Sequence, residues 1–514
     1  MGRRIQFNRT GIFAALYICC AAIAACAPTP LPPAPPPAEI WPTRAWTFST
    51  PEAQGIDSNA LARALEWIRA KQIPVHSLFI ARDGHAVLDA YFFPFQDNET
   101  HGLASVTKSI TSSLVGIAGG EGRLTDLNAP LATLLPYETE ALDDPRKGAV
   151  TLANLLSMTS GIDCSTAPGE NLLLEMEHSP DWVAFMLNRR IAYAPGSRFQ
   201  YCGGAFHIVS AVLTRAVGRS AFDLARDDIF RPLGITTAAW PADPQGNSRG
   251  FADLELRPRD AAKLGYLWLH HGRWENRQVV PGNYLGEALS PHVSVQPGIA
   301  YGYGFWLYPA HRPYDFEANG RGGQRITVVP DENLVAVITS GGADANVVAP
   351  LLAAAVKANG PLPPDPAGDA RLAATVAEVA RPPAAAGTVS VPQWAWSVSG
   401  RTYVLPDNPL GLHSLQLTFA AGPEALLQLQ FTGSTPEKHS IGLDGVPRLS
   451  AGGNSGHRVA VSGQWRPGGF LLDYNEIARI DDYRLYVTPA PGGLSVHLTE
   501  RTGLVDIWLL AKPA

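Results

Sequence analysis

Ala104-Ser105-Val106-Thr107-Lys108-Ser109 is the stretch on which the reading of this chain turns. Its S-x-x-K spacing falls at the start of a predicted helix that continues to Gly119-Gly120, a glycine stop. Residues three apart on a helix are neighbours on one face, with Cβ atoms ~5–6 Å apart. The Ser105 hydroxyl and the Lys108 amine can therefore share a hydrogen bond. A serine hydroxyl is a poor nucleophile until an adjacent base takes its proton. Lysine serves as that base where burial or nearby positive charge lowers its pKa from ~10.4. Taken alone, the tetrapeptide reads more readily as an N-capping serine and a solvated lysine. The decision rests on what surrounds it.

Upstream, Leu61–Ala70 has helical periodicity, and Ser77–Tyr91 reads as two strands around the turn Asp83-Gly84. Downstream, apolar helices are expected near Leu152–Met158, Asp181–Asn188, Ala205–Val217 and Pro258–His270. A hairpin follows, Arg325–Val329 and Leu334–Ser340, and then a helix over Val347–Lys357. Strands at both ends with helices between them predict an α/β (α+β) body over 46–358, an antiparallel sheet packed by helices with a helical lobe. Residues 359–388, with Pro361, Pro363, Pro364 and Pro366, read as a linker holding a short Ala-rich helical piece. From 389 to 514 short alternating runs such as Leu415–Phe419 and Leu427–Phe431 predict a small all-β domain, a barrel or sandwich. That domain carries no catalytic constellation of its own. It is expected to cap or orient the catalytic body, or to bind a surface partner.

Residues 1–26 read as an export signal, with Arg3, Arg4 and Arg9 ahead of an apolar run from Gly11 to Ala25. Ile23-Ala24-Ala25-Cys26 resembles the bacterial lipobox, which makes Cys26 a lipidation candidate. Ala27 after it, in place of Asp, points by the Gram-negative sorting pattern to the outer membrane. A Pro-rich spacer, 27–45, would then hold a periplasm-facing body away from the bilayer. Of the five cysteines, Cys164 and Cys202 remain for that body, and an oxidising compartment would let them pair. A net charge of −6 over 514 residues, with no basic stripe, gives nucleic-acid binding no support. The 46% hydrophobic content suffices for a large core.

Three further stretches carry a resemblance. Leu155-Leu156-Ser157-Met158-Thr159-Ser160-Gly161 follows the S-x-x-K. Ala194-Pro195-Gly196-Ser197-Arg198-Phe199-Gln200-Tyr201-Cys202-Gly203 comes next, and Ala318-Asn319-Gly320-Arg321-Gly322-Gly323-Gln324 is last. In this order they resemble the serine β-lactamase-related hydrolases: class C β-lactamases, penicillin-binding DD-peptidases, family VIII-type esterases and nylon-oligomer (6-aminohexanoate-dimer) hydrolases. The resemblance implies that Ser105 is the nucleophile, Lys108 its proton partner, and Tyr201 the general base and then acid toward the leaving group. It implies an oxyanion hole from the backbone N–H groups of Ser105 and Arg321. It also implies substrate contacts from Gly203, Asn319, Gly320, Gly322, Gly323 and Gln324. Gly203 stands where the family often has Asn, and Ala318 where it has Lys or His. Both departures remove groups used on carboxylated, peptide-like substrates, and the motif form looks closest to the nylon-oligomer hydrolase and esterase branch. Aromatic residues from Tyr301 to Trp306, with Tyr308, are expected at the pocket border or in the core.

No H-E-x-x-H or Cys/His cluster suggests a metal site, and no G-x-S-x-G elbow suggests a histidine-based triad. The expectation is an exported, cofactor-free serine hydrolase acting on a small-molecule ester or amide. The alternatives are a β-lactamase or DD-peptidase proper, and a non-catalytic sensor or binding protein on the same fold.

Overall fold

The computed structural model describes residues 39–139, 144–164, 171–387, 390–452 and 456–514. The export signal, Cys26 and most of the Pro-rich spacer lie outside the described residues. In chain order the elements that position the site are α1 (Ser58–Ala70), β1 (Val75–Arg82), β2 (His85–Tyr91), α2 (Thr107–Gly120), α3 (Asn171–Glu177) and α4 (Gly203–Val217). They continue with α5 (Pro258–Leu269), β3 (Asp315–Gly320), β4 (Gln324–Val329), β5 (Leu334–Ser340), α6 (Ala345–Ala353) and α7 (Pro366–Val379).

β1 is buried along its whole length, because the sheet is covered on both sides. Successive strand residues point to opposite faces, and β1 divides accordingly. Leu78 and Ile80 join Leu61, Leu65 and Ile68 of α1 and Val348 and Leu352 of α6 in one core. Phe79 and Ala81 join Ile110 and Leu114 of α2 and Leu264 and Leu267 of α5 in another. In the nine-stranded sheet β2, β1, β5, β4 and β3 are neighbours, and each pair among them is antiparallel. Distant segments therefore meet at its centre: β1 and β5 pair with Leu78 opposite Ile338. This is the antiparallel sheet with helices that the sequence predicts.

α1 starts at Asp57, whose carboxylate accepts from Ala60 N–H at 3.0 Å, an N-cap of the expected kind. α2 is buried from Thr107 to Ala118, although five of those residues are Ser or Thr. Each of their hydroxyls is matched: Ser109 donates to Gly304 O at 2.6 Å, Thr111 to Gly250 O at 2.8 Å, and Ser113 to Ser109 O at 2.8 Å. Ser112 meets the Tyr284 hydroxyl at 2.9 Å, and Thr107 donates to Ala104 O at 2.6 Å. Buried hydroxyls cost little when so paired, and the polar helix becomes a fixed axle for the nucleophile.

The segment 359–388 differs from its reading as a linker. α7 lies against α1, with Leu372 and Val379 buried in the core beneath the sheet. Asn59 Nδ2 donates to Asp365 at 2.8 Å, and Arg371 pairs with Glu66 at 2.8 Å. The Ala-rich pattern is amphipathic enough to make this a third helix on that face. At the other end of the body, Trp41 packs on Tyr266, His270 and Trp274, so the body takes in part of the stretch 27–45 read as a spacer.

The C-terminal strands form an antiparallel sheet that runs from Thr402–Val404 through Leu412–Phe419, Glu424–Phe431 and Glu437–Gly442 on one side. On the other side it runs through Asp506–Pro513, Gly493–Glu500, Asp482–Ala490, Gly469–Glu476 and Val459–Arg466. A parallel bridge, Gly442 to Ser462, joins the two ends and closes a barrel. Its leucine-rich interior is a separate core. The barrel docks on the body through Gly102 N–H to Ala478 O at 2.7 Å, and through Arg458, whose Nε donates to Glu99 Oε1 at 2.7 Å.

Candidate active site

Ser105 lies in a short 3-10 turn, Ala104–Val106, that runs directly into α2. Ala104 has φ +44°, a left-handed conformation uncommon for alanine. It turns the chain so that Ser105 stands at the helix entrance rather than within it. Lys108, one turn on, is 2% exposed. Its Nζ donates to Ser105 Oγ at 2.7 Å and to Phe251 O at 2.8 Å. Among the described residues it has no carboxylate partner. An ammonium taken out of water without a counter-ion is costly, and such arrangements concentrate where chemistry is done.

Tyr201 lies just before α4, 36% exposed, with the Lys108 ammonium 4.9 Å from its ring centre and the Trp306 ring stacked at 6.0 Å. The second and third motifs hold it there. Gln200 N–H donates to Met158 O at 2.9 Å, Gly196 N–H to Thr159 O at 2.7 Å, and Cys202 N–H meets Met158 Sδ at 3.3 Å. Met158 itself has φ +60°. A disulfide joins Cys202 to Cys164, fixing the residue beside Tyr201.

Ser105, Lys108, Tyr201 and Arg321 line one cavity of about 440 Å³. Gly203 lines it as well. A Cβ at that position would lie 3.1 Å from the Leu173 side chain, so α3 occupies the room that a longer side chain would need. Gly320 backs the nucleophile turn, where a Cβ would come within 2.6 Å of Leu103 O. Ala318 is buried at 1% in the core.

The remaining residues expected to contact substrate do something else. Asn319 points to the opposite face of β3, where Nδ2 donates to Glu317 at 3.1 Å. Gln324 is 1% exposed and ties β4 to β5, accepting from Ser340 N–H at 3.1 Å. Gly322 and Gly323 have φ +77° and +88°, and make the reversal between β3 and β4 that only glycine adopts without strain. None of these four lines the cavity. Alternation along β3 and the tightness of the turn account for the difference.

The barrel supplies part of the cavity wall: Leu410, Arg479, Asp481, Tyr483, Glu500 and Val505. Arg321 is bound to it, with Nη2 donating to Asp481 at 2.6 Å and Nη1 to Thr502, and Glu500 3.7 Å away. The other guanidinium groups are similarly matched. Arg249 pairs with Glu177 and with Asp253 at 3.0 Å, and Arg479 stands 3.9 Å from Glu255. Burial, offset by Arg249, still pushes the Glu177 carboxyl above its usual pKa. Every guanidinium among the described lining residues thus already faces a carboxylate. Phe251 O and the barrel wall carry no local sequence signal, whereas Trp306 belongs to the aromatic run expected at the pocket border or in the core. No group of three or more metal-ligating side chains occurs among the described residues.

Residues 59–378 match the family model described as Beta-lactamase, and the chain belongs to that family. It is 31% identical over 135 residues to a protein of Dichelobacter nodosus described as a fimbrial assembly protein, FimD of serogroup H1, covering 26% of this chain and 34% of that protein. It is 29% identical over 146 residues to the D-aminopeptidase of Brucella canis, covering 26% and 25% respectively. The matches span about a third or less of these relatives' lengths. A Bacillus anthracis structure described as a 6-aminohexanoate-dimer hydrolase superposes with a TM-score of 0.51 at 18% identity, over 66% of this chain and 89% of that one, a likeness of fold.

Proposed function

We propose that this chain is an exported serine hydrolase that cleaves an ester or amide bond through an acyl intermediate on Ser105. The reading is carried by the 2.7 Å contact between Lys108 Nζ and Ser105 Oγ inside a cavity that Tyr201 also lines. Ser105 Oγ attacks the substrate carbonyl as its proton passes to the unprotonated member of the Lys108–Tyr201 pair, a Lys108 amine or a Tyr201 phenolate. The oxyanion is held by the Ser105 and Arg321 backbone N–H groups, donors worth roughly 10²–10³ each. Collapse expels the alcohol or amine, which takes a proton from Tyr201. Water then attacks the acyl-serine, the same pair removes its proton, and the acid leaves. One relative is named as an aminopeptidase, which agrees with a hydrolytic site.

A neutral ester or amide suits the cavity better than a carboxylated β-lactam or peptide. Ala318 and Gly203 provide no polar side chain, and the guanidinium groups are already occupied by carboxylates. The export signal and Cys26 support a lipid-anchored, envelope location. The test is intact mass after treatment with a fluorophosphonate and with a penicillin, beside Ser105→Ala. A one-to-one adduct lost in the variant supports the reading, and a folded protein labelled by neither reagent defeats it. Faster turnover of p-nitrophenyl esters than of nitrocefin separates an esterase from a β-lactamase.

A further inference from the structure

The cavity above Ser105 is walled in part by the barrel, and a second space borders it there. This hollow of about 250 Å³ is walled by Leu410, Leu412, Leu429, Phe431, Leu485 and Leu498. It shares Leu410, Arg479, Asp481 and Tyr483 with the cavity over Ser105. Leu412, Leu429, Leu485 and Leu498 belong to the barrel's own core, so the hollow is an opening in a hydrophobic interior rather than a surface dent. Such barrel mouths are common ligand sites.

Three observations identify the occupant. The hollow adjoins the cavity over Ser105, since four residues border both spaces. Its walls are mostly leucine and phenylalanine, joined by Tyr474 and by Glu476, whose carboxyl burial pushes above its usual pKa, while Arg479 and Asp481 stand at the junction. There Asp481 is already held by Arg321, and Arg479 stands near Glu255, which leaves little attraction for a charged group. Finally, the junction is tied to Arg321, an oxyanion donor in the proposed reaction. Tyr201, on the leaving-group side, rests instead on Trp306 and Lys108. A carbonyl held at Ser105 and Arg321 with its leaving group toward Tyr201 directs its acyl substituent to the other side.

We propose that the barrel mouth is the acyl subsite for the reaction at Ser105, taking an uncharged aliphatic or phenylalkyl arm of medium length. The barrel is then a gauge of acyl length, and Leu410, at the junction, is its threshold. This rests on the hydrolase reading above. Each methylene moved from water into the apolar mouth is worth about three- to fourfold in kcat/KM, until the hollow is full.

The experiment uses the full-length protein and p-nitrophenyl esters from acetate to dodecanoate. The expected result is kcat/KM rising over the first several methylenes and then levelling. In Leu410→Trp the octanoate-to-acetate ratio falls at least tenfold, and in Phe431→Ala the plateau moves to longer chains. Trp508→Ala, on the barrel's outer face, keeps the wild-type ratio. Melting curves identify which variants are folded. Folded Leu410→Trp and Phe431→Ala with unchanged chain-length profiles overturn the subsite. A shift seen only with acetate esters of longer alcohols places the leaving group in the mouth and overturns the acyl assignment. No turnover of any ester, together with an unlabelled Ser105, overturns the hydrolase reading and the subsite with it.

Discussion

Lys108 is where stability and chemistry oppose each other. Its ammonium is buried with two neutral oxygens for company, an arrangement that a methionine of similar shape would relieve. Lys108→Met is expected to remove acylation of Ser105, a loss of about 10²–10⁴ or more in rate. The same substitution is expected to leave the fold as stable as before, or more stable by about 0.5–2 kcal/mol. Fluorophosphonate labelling read beside a melting curve checks both halves, and a large fall in Tm would return Lys108 to a structural role. Tyr201 is half open to solvent and supports no core, so Tyr201→Phe is expected to lower kcat by a similar factor with little change in Tm. The contact of Lys108 with Ser105 was legible because a three-residue spacing on a helix fixes neighbours without knowledge of the rest of the fold, whereas Tyr201 was reached only through the resemblance of its motif. The glycines after β3 were not legible. Gly322 and Gly323 occur in a stretch expected to contact substrate, yet their φ values assign them to the turn, and nothing local distinguishes the two uses.

Among the elements, α7 shows how composition misleads. A stretch bracketed by prolines and rich in alanine suggests a spacer, but prolines also open helices at the first position, as Pro366 does. Its leucine and valines then have a face to bury. Leu372→Ala is expected to cost about 2–5 kcal/mol in urea unfolding, whereas in a free linker it would cost nothing measurable. The central strands were easier to read. β1 and β5 are continuous apolar runs bounded by turns, and the fold puts both in the middle of a covered sheet. What the sequence could not convey is which distant loops close over the site. The wall residues Asp481, Glu500 and Val505 are uncharacteristic taken singly, and acquire a role only through a barrel docked against Arg321.

At the scale of the molecule, the contact between body and barrel is rich in titratable groups. His76 Nδ1 and His101 Nε2 lie 2.8 Å apart, with His76 stacked on Phe95. Burial first, then His101 and Arg501, hold His76 well below its usual pKa, and burial lowers His101 to about 4. Asp482, across the junction on the barrel, is pushed up to about 7 by burial, despite Arg501 at 3.5 Å. The two kinds of group act in opposite directions. The unfolded chain protonates its histidines near pH 6.5 while the fold keeps these two neutral, so stability falls as pH drops from about 6.5 toward 4. Asp482 keeps its proton in the fold up to about pH 7 but loses it near 3.8 when unfolded, so its contribution falls as pH rises through that window. Asp482→Asn is therefore expected to stabilise the protein at pH 8 by at most about 4 kcal/mol, with the gain fading toward pH 4. Melting curves across that range check the sign, and a gain that grows on acidification would refute it.

The closure of the barrel also has a bearing on time. Its first strand pairs with its last, Tyr403 opposite Pro513, and the wall of the cavity includes Glu500, Leu504 and Val505. A ribosome releases Ser105 and Lys108 roughly 400 residues before those residues. The nascent chain thus carries the proposed nucleophile while the cavity around it is still missing a side, and Arg321 has not yet met Asp481 or Thr502. A chain stalled before these strands would hold Ser105, Lys108 and Tyr201 and still lack part of the wall that encloses them.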